Sequence, residues 1–215
     1  MQYLLEYHLR ELSIARDQSL PNHLMPPIKP HHKRILDIGC GMGQTLIAAN
    51  FPPEVMAYGI DHDATAIEAG LRIAPPNVHL AIGVGEKIPF PDLFFDLAVC
   101  RVALPYMHIA TALSEIYRVL APGGETWLLL HSKRMYRRRA IKSLKEGNLK
   151  DLLNCGFIWL NSLLVNATGK QLTIKNLTET FQTEPGIRRA LTRSNFESVK
   201  IDNKVFFVAE CRKPL

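Results

Sequence analysis

The sequence predicts an α/β protein with a doubly wound, mostly parallel seven-stranded sheet and a helical insertion before the last two strands. From residue 34 to residue 130, short apolar runs alternate with helical stretches, which is typical of a sheet covered by helices on both faces. These runs are apolar throughout, as expected for strands buried on both sides. Only Asn203-Lys204 separates the last two runs, which predicts an antiparallel C-terminal hairpin.

The elements begin with a helix over residues 3–16, in which Leu5, Leu9 and Leu12 form one apolar stripe. A proline-rich link, Pro21 to Pro30, then interrupts regular structure. Further helices are predicted from about Gln44, from about Ala64 and through residues 113–120, and the predicted strands are 34–38, 55–60, 77–82, 94–100, 125–130, 198–202 and 205–211.

The composition is that of a globular protein. The chain has 215 residues, 47% hydrophobic and 21% charged, which excludes a wholly disordered or fibrous protein. No apolar stretch reaches the ~20 residues of a membrane-spanning helix, and the N-terminus lacks the apolar core of a secretory signal. The four cysteines are far apart, so the sequence predicts reduced thiols, no metal site and a cytoplasmic location.

Positive charge is concentrated in one segment. Between His131 and Lys150 there are eight lysines and arginines and one glutamate, a net +7, although the whole chain carries only +6. A solvated helix face is the first interpretation, and a cationic lid over a small substrate is the second. Contact with RNA or with an anionic membrane ranks last, because a single basic patch with only Tyr136 interleaved is weak evidence for nucleic-acid binding.

The strongest motif is a glycine-rich loop between the first strand and the first core helix. It reads Asp37-Ile-Gly39-Cys40-Gly41-Met-Gly43, and Asp61 follows 22 residues after Gly39 at the end of the second strand. Such glycines allow a sharp turn and close approach of a ligand, while the acid can accept both ribose hydroxyls of an adenosine group. A nicotinamide site would need Gly or Ala where Gln44 stands, and a tight turn without a ligand is the other alternative.

This loop resembles motif I of the class I S-adenosylmethionine (SAM)-dependent methyltransferases. The resemblance continues through GIDHDATAI, EKIPFPDLFFDLAVC and ALSEIYRVLAPGGETWLLL, and so covers about residues 34–130. It is nearest to the small-molecule group that includes the quinone-precursor methyltransferases. The resemblance implies a Rossmann-like core at residues 31–131, preceded by a helix and link (1–30) and followed by a helical substrate region (132–194) and a terminal hairpin (195–215).

The resemblance also implies a set of SAM contacts. Gly39, Cys40 and Gly41, within a loop closed by Gly43, should hold the methionine part, and Asp37 should support the loop or the amino group. The ribose and adenine should be bound by Asp61, His62, Val84, Gly85 and Glu86, and Cys100 and Arg101 should face the sulfonium. Relatives usually carry an aspartate where this chain has Val84, so either a backbone carbonyl binds the adenine amine or adenine is held less specifically.

Three side chains are candidates for catalysis. His108 and Tyr106 follow the fourth strand, and His131 ends the fifth, so all three should lie at the carboxyl edge of the sheet. A histidine could accept a proton from a hydroxyl or an acidic carbon, although His108 could instead simply cap the following helix. Methyl transfer depends largely on alignment, so a missing base would not exclude it.

The sequence thus favours a SAM-dependent methyltransferase acting on a small, partly apolar metabolite through oxygen, carbon or nitrogen. One alternative is an RNA methyltransferase that uses the basic segment, and another is a non-catalytic SAM-binding protein. The oligomeric state and the identity of the acceptor stay open.

Overall fold

A computed structural model of the protein describes residues 2–20, 23–174 and 177–215, with side chains from residue 6 onwards. Leu5 of the predicted stripe and Pro21 of the link therefore lie outside the described side chains and residues. The elements are α1 (Gln2–Arg16), β1 (Arg34–Ile38), α2 (Gln44–Ala49), β2 (Met56–Asp61), α3 (Ala64–Leu71), β3 (Val78–Ile82), β4 (Phe95–Arg101), a 3-10 turn (Leu104–Tyr106), α4 (Ile109–Val119), β5 (Leu120–Leu130), α5 (Lys133–Lys145), α6 (Leu149–Thr168), α7 (Glu184–Arg193), β6 (Glu197–Asp202) and β7 (Phe207–Arg212).

The seven strands form one sheet in the order β3-β2-β1-β4-β5-β7-β6. All pairings among β1 to β5 are parallel, and β7 runs antiparallel to both β5 and β6. The predicted fold class is therefore confirmed. The strand order reverses between β1 and β4, and ligands of open α/β sheets bind beside such a switch point, at the carboxyl ends of the strands.

The sheet separates two apolar layers, because successive strand residues point to opposite faces. Leu36 and Ile38 of β1 pack in the layer that contains the buried side of α4, such as Leu113. Ile35 packs in the opposite layer, with Ile67 of α3. Burial on both faces fixes the register of the central strands, and the position of the loops at their ends follows from it.

Three details differ from the sequence prediction. Strand β5 begins at Leu120 rather than residue 125, because the chain turns directly from α4 into pairing with Phe95. The hairpin connection spans residues 203–206, and pairing starts only at Phe207, the first buried side chain of β7. On α1, Leu12 is buried but Leu9 is exposed.

The segment between β5 and β6 is helical, as predicted, and consists of α5, α6 and α7. Helices α5 and α6 pack against each other, and α7 contacts α4 and α6. Each helix within the described ranges is too short or too polar to cross a bilayer.

Candidate functional site

The glycine loop leaves β1 at the switch point of the sheet and turns sharply. Gly39 has a φ of +74°, and its N–H and that of Cys40 both donate to the Ile60 carbonyl, at 2.8 and 3.0 Å. A Cβ on Gly39 would lie 2.2 Å from the Cβ of Ala103, so only glycine fits between the loop and the chain that follows β4. The backbone of Gly39 and Cys40 consequently lines a cleft, while the Cys40 side chain is buried in the apolar core.

Asp61 ends β2 and joins the two strand ends across the cleft. Its Oδ2 accepts from the Gly41 N–H at 2.8 Å, and its Oδ1 accepts from the Asp63 N–H at 2.9 Å. His62 Nδ1 lies 3.2 Å from Oδ1, and the His62 side chain is exposed. The carboxylate is thereby held in one orientation and retains acceptor capacity toward the cleft, since each oxygen has two lone pairs.

Asp37 lies at the bottom of the cleft and is 1% exposed. Its Oδ1 finds no hydrogen-bond partner among the described residues. Burial raises the pKa of this carboxyl to about 7, opposed by the nearby Arg101 guanidinium and reinforced by Asp61. A buried carboxylate oxygen without a hydrogen-bond partner destabilises a folded protein and is therefore uncommon. It is expected in a site that binds a cationic or hydrogen-bond-donating group.

Helix α1 covers this end of the cleft. Tyr7, His8 and Glu11 all line it, and a Cβ on Gly41 would lie 2.7 Å from the His8 Nδ1. Glu11 Oε2 is 3.4 Å from an Arg101 guanidinium nitrogen, an ion pair that joins α1 to the end of β4. The imidazole of His8 therefore sits directly on the glycine loop.

The cleft continues past the switch point in two connected parts of ≈ 420 and ≈ 480 Å³, which share Gly39, Asp61, His62, Ala103 and Tyr106. The second part is bordered by Val84, Gly85 and Glu86 on one side and by Thr178 and Glu179 on the other. Of the predicted residues, the structure brings together at this cleft Asp37, Gly39, Cys40, Gly41, Asp61, His62, Val84, Gly85, Glu86, Arg101, Tyr106 and His131.

His131 belongs to a hydrogen-bond network with Tyr136 and Glu179. The Tyr136 hydroxyl donates to Glu179 Oε1 at 2.5 Å, and its oxygen lies 2.9 Å from His131 Nδ1. Because the phenol hydrogen is given to the carboxylate, Nδ1 is the atom that donates to the phenol oxygen, and the lone pair resides on Nε2. Burial, with a smaller contribution from Arg139, lowers the pKa of His131 to about 4, so the imidazole is neutral near pH 7.

Three predicted residues do not reach the cleft. Cys100 is fully buried in the core, because it precedes Arg101 on a strand and neighbouring side chains point to opposite faces. Gly43 begins α2 with a φ of +79° and faces Leu80 of β3. His108 directly precedes α4, where its N–H donates to Glu86 and its Nδ1 contacts the Thr111 hydroxyl, but its side chain does not cap the helix backbone.

The sequence prediction missed several residues that line the cleft. Helix α1 contributes Tyr7, His8 and Glu11, and the loop after α6 contributes Glu179. The α1 residues carried a local signal, since His8 and Glu11 lie one helical turn apart among leucines. Glu179 carried none, because only the packing of the helical insertion brings it to the cleft.

One trio of potential metal ligands occurs among the described residues, namely His31, His32 and Glu125. It lies at the opposite end of the sheet from the cleft. The Lys29 ammonium is 2.5 Å from Glu125 Oε2, and His32 Nδ1 accepts from the Lys29 N–H. His32 Nε2 lies 3.4 Å from Glu125 Oε2 but makes no hydrogen bond among the described residues, so Lys29 is the cation that pairs directly with this carboxylate.

The strand order, the glycine loop and the acid at the end of β2 together define a Rossmann-like protein with a nucleoside-type cleft. Comparison with known proteins shows what this part of the chain resembles. The family profile described as "Methyltransferase domain" matches residues 35–124. Residues 35–124 are thus similar to a methyltransferase domain.

Two relatives and one solved structure illustrate the match. The chain is 36% identical to the uncharacterized methyltransferase YcgJ of Bacillus subtilis, over 46% of this chain and 40% of the relative. It is 39% identical to the demethylmenaquinone methyltransferase of Symbiobacterium thermophilum, over 46% of this chain and 43% of the relative. A SAM-dependent methyltransferase from Methanosarcina mazei superposes with a TM-score of 0.55 at 21% identity, covering 88% of this chain and 100% of that one. The chain thus spans less than half the length of these two curated relatives.

Proposed function

We propose that the protein transfers a methyl group from SAM to a small, partly apolar acceptor. The observation that carries this proposal is the cleft at the switch point, where Asp61 and the glycine loop meet under α1. The named relatives include a demethylmenaquinone methyltransferase, which supports an acceptor of the small-molecule class. When bound, SAM would supply an electrophilic methyl group on a sulfonium sulfur.

The residues present fit such a ligand. Three buried polar atoms at the cleft have no partner among the described residues, namely Asp37 Oδ1, His8 Nδ1 and Gln44 Oε1. A zwitterionic amino-acid end carries both donors and acceptors, and so can satisfy such a mixed group of atoms. Asp61 would bind the ribose hydroxyls, and Val84 and Gly85 would border the adenine.

The acceptor would lie beside Tyr106 and His131, which both line the cleft. Their rings meet edge to face at 5.5 Å, and Tyr106 has a pKa raised to about 12 by burial and by Glu179, so it stays a neutral hydrogen-bond donor. The Nε2 lone pair of His131 would take the acceptor's proton as the new bond to carbon forms. Because burial lowers the pKa of His131 to about 4, its imidazole is in the neutral, proton-accepting form near pH 7.

An RNA methyltransferase and a non-catalytic SAM-binding protein are not favoured. The basic cluster of the sequence lies on α5, and the cleft lining itself mixes single charges with apolar groups. His131 lines the cleft, and its Nδ1 contact with the Tyr136 hydroxyl holds the imidazole in place, which supports chemistry rather than binding alone.

Two variants test the proposal by calorimetry with SAM and by labelled-methyl transfer to a panel of phenols, hydroquinones and amines. Asp61→Ala should weaken SAM binding by about 1.5–3 kcal/mol, the usual loss for charge-assisted hydrogen bonds. His131→Gln should keep SAM affinity but lower turnover by about 10²–10⁴-fold. Asp202→Ala, at the end of edge strand β6, is the matched control. Unchanged affinity in Asp61→Ala would refute the cofactor site, and transfer to no acceptor would refute the activity.

A further inference from the structure

Helix α6 exposes a continuous apolar stripe on its outer face. Its outward stripe consists of Leu149, Leu153, Gly156, Leu160 and Leu163, spaced at one helical turn, and the four leucines are 60% to 68% exposed. The face turned toward the protein buries Cys155 and Ile158 together with the polar side chains of Asn161 and Ser162. A helix on the surface of a globular protein normally keeps such a continuous leucine stripe on its buried side.

Hydrogen bonds on the inner face of α6 fix the leucine stripe in its outward orientation. Asn161 Nδ2 donates to the carbonyls of Leu172 and Thr178, and its Oδ1 accepts from the Leu172 N–H. Ser162 accepts from the Phe181 N–H at 2.8 Å. Turning the leucines inward would break all of these bonds inside the protein, so the apolar stripe must face outward.

The neighbouring helix α5 adds a basic rim to this stripe. Its outward surface exposes Ile141 and Leu144 beside arginines and lysines. No carboxylate within the described ranges lies within 4.0 Å of Lys133, Arg134, Arg137, Arg138, Lys145 or Lys150, although Arg139 and Lys142 are paired. The hairpin of α5 and α6, residues 133–168, therefore presents leucines flanked by uncompensated positive charge.

We propose that the outer face of this hairpin docks on an anionic membrane surface, with the leucine stripe in the headgroup region and the α5 cations on the lipid phosphates. An exposed apolar face flanked by lysine and arginine is the pattern of a helix that lies in the membrane interface. Charge argues against a second copy on this face, because two like-charged segments of net +7 would meet there.

Docking in this orientation connects the membrane with the cleft. The inner side of α5 carries Tyr136, which bonds both to His131 and to Glu179 at the cleft. Trp159 of α6 packs on Phe181, two residues beyond Glu179. The same hairpin thus forms the lipid-facing surface and a wall of the acceptor site, so an apolar acceptor could pass between the two over a short path.

The experiment is co-sedimentation of the full chain with vesicles of phosphatidylcholine containing phosphatidylglycerol, and with vesicles of phosphatidylcholine alone. We expect binding to the anionic vesicles that weakens as salt rises. Leu153→Glu/Leu160→Glu and, separately, Arg137→Glu/Arg138→Glu should each reduce that binding by at least about tenfold. All four side chains are exposed, so circular dichroism and the melting temperature should stay unchanged.

Leu71→Glu, an exposed leucine on α3, and Lys33→Glu/Lys200→Glu are the matched controls, and they should bind vesicles as the unaltered protein does. Two results would overturn the proposal. One is the absence of sedimentation with anionic vesicles. The other is a dimer, seen by sedimentation velocity, that Leu153→Glu/Leu160→Glu dissociates while vesicle binding stays the same. None of these readouts depends on methyl transfer.

Discussion

The buried Asp37 carboxyl lowers the stability of the folded protein but provides a hydrogen-bond acceptor at the bottom of the cleft. It is the penultimate residue of β1, and its neighbours Leu36 and Ile38 are apolar and fully buried. Its ionised form is penalised by burial, and Arg101 compensates only in part. The protein therefore keeps a destabilising group at the bottom of its cleft, as expected where ligand binding has been favoured over stability.

The unfavourable burial of the ionised Asp37 carboxylate predicts how Asp37→Asn changes the free energy of unfolding. Burial raises the pKa of Asp37 to about 7 in the folded protein, above its ordinary value of 3.8, so between these pH values only the folded state holds the proton. The folded state therefore binds this proton more tightly than the unfolded state does. The resulting contribution to the free energy of unfolding is complete below the unfolded pKa and is lost as pH rises through about 7. We expect Asp37→Asn to be more stable than the unaltered protein by about 1–3 kcal/mol at pH ~8, and by much less at pH ~5.

Urea unfolding at the two pH values measures this difference directly. Asp96→Asn is a useful control, because Asp96 is a partly exposed strand carboxylate that accepts from the Lys33 and Arg34 N–H groups. It should be destabilised at both pH values. A stability change in Asp37→Asn that is the same at both pH values would show that the carboxyl does not titrate as described.

At the scale of the element, the basic helix α5 contains arginines of two kinds. Arg139 pairs with Asp151 of α6 at 2.5 Å and approaches Glu179 at 3.7 Å, so it ties α5 to α6 and to the cleft wall. Arg137 and Arg138 are exposed and pair with no carboxylate of the described residues. The three arginines are adjacent in the sequence, but Arg139 joins helices whereas Arg137 and Arg138 face the solvent.

This division predicts opposite results for neighbouring substitutions. Arg139→Ala should lower the melting temperature and destabilise by about 1–3 kcal/mol, because it leaves the partly buried Asp151 and Glu179 without their cation. Arg137→Ala/Arg138→Ala should change stability by no more than about 0.5 kcal/mol. Both variants should keep SAM affinity, since none of the three arginines lines the cleft. Thermal unfolding and SAM calorimetry test this, and equal destabilisation of the two variants would contradict it.

The elements differ in how far the sequence alone could predict them. The strands and the loop at Gly39 were predictable, because apolar runs and glycine conformations are encoded locally. The buried position of His8 and the orientation of α6 were not. Asn161 and Ser162 face inward because they form hydrogen bonds with the backbone of Leu172 and Phe181. These contacts exist only in the folded insertion, so they leave no local signal in the sequence.

At the scale of the whole molecule, distant parts of the chain meet at the switch point of the sheet. Asp61 of β2, Arg101 of β4 and His131 after β5 reach the cleft because parallel strands end at the same edge. Glu11 of α1 and Glu179 of the insertion close it from outside. A ligand in this cleft would contact segments from both ends of the chain, so its binding should stabilise the fold as a unit.

The demethylated product S-adenosylhomocysteine makes that coupling measurable. At about 100 times its dissociation constant, a ligand specific for the folded state adds about 2.7 kcal/mol. For a chain of 215 residues this corresponds to a rise in melting temperature of about 5–10 °C. Asp61→Ala at the same ligand concentration should show less than about half of that rise, because its affinity is lower. A single, cooperative calorimetric transition that shifts as a whole would show that the cleft binds as one site. A shift of equal size in Asp61→Ala would mean that the ligand stabilises the protein from somewhere else.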